Sequence, residues 1–157
     1  MTVTRLIARP MLASMFFVGG VGALKDAEAH ARNAKPVVDK VVPMAQKAAP
    51  GAPIPTDAVT LVRINAVAQL VGAAALATGK APRLASTVLA ASLVPTTLAG
   101  HRYWEESEPG AKAQQKVHFF KNVSMIGGLM LAGVDTEGKP GLAWRARRAA
   151  KDARREA

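Results

Sequence analysis

The chemistry this chain could carry lies in polar groups set at the edges of apolar runs. His118, Lys121 and Asn122 stand at the head of an uncharged stretch from Val123 to Val134. His118 and Asn122 are four residues apart and share a helix face, with Lys121 beside them. His101 and Arg102 precede Tyr103, Trp104 and Glu105, and Arg63 lies near the start of another apolar run. Ionisable groups within membrane helices are functional candidates by default. Donors beside an apolar bundle can hold a quinone carbonyl or a lipid phosphate. Arg63, His101, His118, Lys121 and Asn122 therefore form the candidate ligand site. The same residue types also serve for snorkelling and interfacial salt bridges, and the sequence leaves both readings open.

Other chemistries find less support. His101 and His118 could reach one iron only if their helices faced each other correctly, and no second pair strengthens a case for haem. His30 sits in a polar connection. Nothing resembles a P-loop, a zinc motif or a Ser/His/Asp arrangement, so no catalytic or metal-binding residue is assigned. With no cysteine the chain forms no disulfide, carries no thiolate nucleophile and holds no iron–sulfur cluster. The net charge of +10 could suggest nucleic acid, but the charges are segregated along the chain and no aromatic platform accompanies them.

The elements that must position these groups read as membrane helices. Half of the 157 residues are hydrophobic and only 4 % are aromatic. The apolar material is mainly Ala, Val and Leu, which suits lipid-facing helices in close approach. Val117 to Val134 is 18 residues, roughly 27 Å as a helix, close to the hydrocarbon thickness. Three more runs share the pattern: about 6–24, 58–79 and 84–100. The expected architecture is an all-α, integral membrane four-helix bundle, a single membrane domain over the whole chain, with an outer loop over 25–57 and a basic tail over 135–157.

The first run follows Arg5 and Arg9, and Ala27 and Ala29 offer a signal-peptide site beyond it. Lys25 and Asp26 intervene, so the run reads as a first transmembrane helix, with Pro10 in its first turns. Gly19, Gly20 and Gly22 give it a surface for close packing, as Gly127 and Gly128 do in the last helix. In the connection, Val37, Val38, Val41, Val42 and Met44 fall near helical spacing between lysines. This predicts either a short amphipathic segment broken by Pro43 and Pro50 or an extended loop. In the second crossing Asn65 and Gln69 share a face that Gly72 continues, which suits bridging to a neighbouring helix or lining a pocket. Pro95 should kink the third crossing, with Thr96 or Thr97 helping to satisfy freed backbone. The tail carries Trp144, Arg145, Arg147, Arg148 and Lys151, candidates for contact with an anionic leaflet or a partner.

Four crossings place both termini and the GKAPR turn on one side, with 11 basic residues against 4 acidic; the other side has 8 against 7. By the positive-inside rule the termini are cytoplasmic.

The stretches IARPMLASMFFVGGVGALK, LVRINAVAQLVGAAALATGKAPRLAS, SLVPTTLAGHRYWEE and HFFKNVSMIGGLMLAGVDTEGKPG resemble, in order and spacing, the DoxX family of small bacterial membrane proteins in its actinobacterial form. The resemblance implies a four-helix bundle in the bacterial cytoplasmic membrane, without established catalysis of its own. It further implies membership of a redox-defence complex with a superoxide dismutase and a thiosulfate sulfurtransferase; separately, the small size of the bundle and its Gly/Ala surfaces suit a place in a larger respiratory assembly. More distant relatives belong to a thiosulfate:quinone oxidoreductase. The family supplies no catalytic residues, and the lack of Cys argues against direct thiosulfate or disulfide chemistry here. Three functions are thus expected in order: a subunit anchoring or organising redox proteins at the membrane, with lipids and redox proteins as partners and no nucleic acid; a quinone-linked oxidoreductase subunit; and a lipid-binding or transport component.

Overall fold

A computed structural model describes residues 3–135, 147–148 and 151–152. Among them there are five principal helices and no strands: α1 (Val3–Lys25), α2 (Ala27–Ala48), α3 (Ala58–Thr78), α4 (Pro82–Gly100) and α5 (Pro109–Val134). The bundle is all-helical, with α1 packed chiefly on α3, α3 on α4 and α4 on α5; α1 and α5 meet much less closely.

Helices α1, α3 and α5 are each long and apolar enough to cross a membrane. Their outward faces stay apolar: Val18 is 69 % and Leu131 72 % exposed, too much greasy surface for water to bathe along whole helices. Helix α4 differs from the sequence expectation. Ser86, Ser92 and Thr97 are buried within it, and Pro82, Arg83, Thr87, Pro95 and Thr96 further lower its hydropathy, so it does not qualify as a span by composition. It nonetheless runs the length of the bundle. Its start meets the end of α5 through Arg83 and Asp135, and its end meets the first half of α5 through His101 and His118. Nineteen residues give roughly 28 Å of helix, and shelter between α3 and α5 replaces apolarity of its own.

The core is built from Ala13, Phe16, Ala73, Leu76, Ala85, Leu89, Leu93 and Leu129. Close approach explains two of the glycines. A methyl on Gly20 would sit 2.9 Å from Leu70 and 3.2 Å from the Ala66 carbonyl, and one on Gly72 would sit 3.1 Å from Leu89. Gly128 lies against Leu12, and Gly19 faces Gln69 at the limit of contact. Gly22 and Gly127 do not serve the packing expected of them, since a methyl on either meets nothing within 4 Å among the described residues.

The connection over 25–57 is corrected most. Helix α2 fills its first two-thirds and continues through Pro36 and Pro43 instead of breaking. Each proline removes one backbone bond. What holds the helix is a face of Ala27, Ala31, Ala34, Val38 and Val42 at three- and four-residue steps, with Ala27, Ala31 and Val42 buried, on a helix that packs against α3 and α4. The Asp26 carboxylate accepts from the Ala29 amide at 3.2 Å and starts the helix, while Lys47 lies in its last turn. In α1, Pro10 lies well inside the helix and so removes a real intrahelical bond. The α3–α4 turn uses Gly79 at φ 71° and Ala81 at φ 55°, left-handed values that reverse the chain in three residues.

Candidate functional site

Five residues singled out at the head of the bundle do not converge on one place. His101, at the end of α4, and His118, on α5, stack with ring centroids 5.2 Å apart and an interplanar angle of 26°. The His101 Nδ1 lies 2.8 Å from the Gln115 Oε1. Beside the pair, Tyr103, Trp104, Phe119 and Phe120 make edge and tilted ring contacts with centroids 5.2 to 6.4 Å apart. This aromatic group caps the α4–α5 connection where rings with one polar edge anchor at an interface. The two imidazoles present their faces to each other, with no gap between them for a third ring.

Asn122 points elsewhere. It is buried, and its amide donates to the Thr97 hydroxyl at 3.1 Å. Lys121 instead borders an open groove of about 620 Å³ along α5, with Lys116, Val117, Phe120 and Ser124. Arg63 is exposed at a different corner, with Lys25, Asp26 and Glu28 around a cleft of about 210 Å³. Of the tail residues, Trp144 and Arg145 lie outside the described residues. Arg147, Arg148 and Lys151 are exposed, and the Arg148 Nε lies 3.5 Å from the Asp152 carboxylate.

The polar groups inside the bundle serve helix association. Asn65 and Gln69 both donate to the Thr96 hydroxyl, at 3.1 and 3.3 Å, so one hydroxyl of α4 joins two amides of α3. Thr96 and Thr97 in turn donate to the carbonyls of Ser92 and Leu93, at 2.9 and 2.7 Å, just beyond the bond that Pro95 removes. The band Asn65–Gln69–Thr96 and Thr97–Asn122 thus links α3, α4 and α5. The four-residue spacing of Asn65 and Gln69 signalled their shared face; the role of Thr97 toward Asn122 carried no such signal.

At the opposite end lies a cluster that sequence reasoning missed. Arg5 grips Asp135 with both arms, Nε and Nη2 each 2.7 Å from a carboxylate oxygen. The Arg9 Nη2 lies 3.5 Å from the same carboxylate, and the Arg83 Nε donates to the Asp135 backbone carbonyl at 3.2 Å. Arg9 is only 5 % exposed, so this is an interior charge network. Its signal was present: Arg5 and Arg9 lie in the first two turns of α1, Arg83 opens α4 and Asp135 ends α5, all on the side where four crossings bring the termini together.

A bundle with lipid-facing helices, an internal amide–hydroxyl band and charges gathered at its ends defines a small helical membrane protein. The chain belongs to the DoxX family, whose family model matches residues 4–102, from the start of α1 to just past the end of α4. No curated protein and no solved structure matches it.

Proposed function

We propose that this protein is a subunit of the bacterial cytoplasmic membrane that anchors or organises redox-defence or respiratory proteins, with both termini cytoplasmic. The observation that carries this reading is the division of labour among its polar residues. The interior amides are engaged in holding helices together, while basic residues accumulate at one end: Arg5, Arg9, Lys80 and Arg83 in the bundle and seven more in the tail. The positive-inside rule turns that end to the cytoplasm. The exposed Lys80 and the basic tail there attract soluble partners with acidic surfaces by steering and charge complementarity. The family resemblance names the classes of partner to expect, a superoxide dismutase and a sulfurtransferase.

The test is affinity purification of the tagged chain from mild-detergent membranes, with mass spectrometry of what accompanies it. Stoichiometric redox enzymes are expected with the full chain and depleted when Arg145 to Ala157 is deleted. Equal recovery after that deletion overturns the role of the tail.

The stacked His101–His118 pair favours a second reading, a quinone-linked oxidoreductase subunit. On that reading His118→Ala lowers quinone-dependent electron transfer in membranes while the bundle stays assembled. Unchanged electron transfer in that variant removes it.

A further inference from the structure

Helix α5 carries Lys112, Lys116 and Lys121 and no acidic residue. Two of these lysines, Lys116 and Lys121, border the groove of about 620 Å³ along its exposed side, and neither makes a hydrogen bond or an ion pair among the described residues. At about 100° per residue they stand roughly 140° apart around the helix, so they flank the floor of the groove from both sides. That floor is Ala113, Val117, Phe120 and Ser124, at three- and four-residue steps, and all four are exposed.

Neighbouring rings set the depth of this groove. Phe120 lies 6.4 Å from Tyr103 and 5.5 Å from Phe119, centroid to centroid, within the aromatic group that anchors the α4–α5 connection at an interface. The two lysines therefore stand at headgroup level. Beyond Ser124 the same face continues through Gly127 to Leu131, both exposed and neither charged. Such a surface asks for an occupant that is anionic at one end and apolar along the rest. A second copy of the chain would bring lysine against lysine, with no carboxylate on α5 to offset them. We propose that Lys116 and Lys121 bind the phosphate of an anionic phospholipid between them, with an acyl chain running along α5 past Ser124 and Gly127 to Leu131. The site lies at the end of the bundle opposite Lys80 and the Arg5–Asp135 pair, and it stands or falls independently of partner recruitment there.

The experiment is thermal unfolding of the full, delipidated chain in mild detergent with one of three additives: phosphatidylglycerol, phosphatidylcholine with the same chains, or inorganic phosphate. A lysine beside an anionic headgroup contributes about fivefold in affinity, so phosphatidylglycerol should raise the midpoint saturably at a concentration at least about tenfold below that of phosphatidylcholine. Inorganic phosphate, which has no chain to place, should not reproduce the shift. The double substitution Lys116→Gln and Lys121→Gln alters two side chains without hydrogen-bond or ion-pair partners, so the bundle should still fold, and the two lipids should then come within about threefold of each other. Lys47→Gln, at the exposed end of α2, should leave the preference intact. In cell membranes, a photo-crosslinking residue at Ser124 should give adducts enriched in anionic phospholipid over its share of the membrane. Equal stabilisation by the two lipids, the full shift from inorganic phosphate alone, an unaltered preference in the double variant, or adducts from Ser124 to a protein, to a second copy or to lipids in bulk proportion overturns the proposal.

Discussion

Arg5 and Asp135, 130 residues apart in sequence, meet in a two-armed ion pair with both contacts at 2.7 Å. The pair joins the first turn of α1 to the residue that ends α5, two helices that otherwise meet little. It therefore closes the bundle at one end. Both side chains are about one-quarter exposed, so solvent screens part of the attraction but not all of it. Asp135→Asn keeps the shape, removes the charge and leaves Arg9 buried beside a neutral group. We expect a loss of about 1–2 kcal/mol in detergent unfolding, in line with a partly buried charge-assisted pair. A change below about 0.3 kcal/mol would mean the clasp is incidental.

The α1–α3 interface should be the most sensitive to small additions. Gly20→Ala places a methyl 2.9 Å from Leu70 and near the Ala66 backbone carbonyl, so the helices must separate. Overpacking of this kind costs about 1–3 kcal/mol. Gly22→Ala meets open space and should be neutral or slightly stabilising through helix propensity. Comparing the two midpoints checks the packing with one helix as its own control.

Thr96 should couple to both amides of α3. Removing its hydroxyl with Thr96→Val deprives Asn65 and Gln69 of their shared acceptor. Hydrogen bonds between membrane helices contribute about 0.6 kcal/mol on average and up to about 1.7. A double-mutant cycle of Thr96→Val with Gln69→Leu should return a coupling of about 0.5–1.5 kcal/mol. Strict additivity would place the amides outside the association of α3 with α4.

How much of this was legible in the sequence follows from what each residue reports about its surroundings. The uncharged runs of α1, α3 and α5 declare themselves, because lipid asks only for apolarity over a sufficient length. Helix α4 was expected from its length, yet its polarity makes sense only once α3 and α5 shelter it. Helix α2 was half visible: its valines kept helical spacing, but Pro36 and Pro43 masked continuity that packing restores. Glycine positions showed where close contact was affordable without showing which face turns inward, so Gly20 and Gly22 looked alike. Asp135 read as the start of the tail because its partners lie 130, 126 and 52 residues away. Arg63 and Lys121 shared an end with His118 in the topology, but helix rotation, which spacing leaves undetermined between helices, turned them to separate surfaces.

The start of α3 should respond to acid. The Asp57 carboxylate accepts the Thr60 amide hydrogen at 2.7 Å. Hydrogen bonding by the Thr60 side chain, then by its amide, holds the Asp57 carboxyl below its ordinary value of 3.8. A lowered folded-state value means the cap is fully present above pH 3.8 and is lost as pH falls through the lower value. Amide exchange in the first turn of α3 should accelerate in that acid window for the wild type. Asp57→Asn, which caps without titrating, should remove that step; an identical acid dependence in both proteins would contradict the role assigned to the cap.

Anchoring is tested most directly by a photo-crosslinking residue placed in intact cells at Lys80, in the α3–α4 turn, and separately at Trp104, at the opposite end. If the termini face the cytoplasm and the chain anchors redox proteins, the Lys80 position captures soluble cytoplasmic redox enzymes and the Trp104 position does not. Capture of such enzymes from Trp104 alone, or of no soluble protein from Lys80, would contradict both the orientation and the anchoring role.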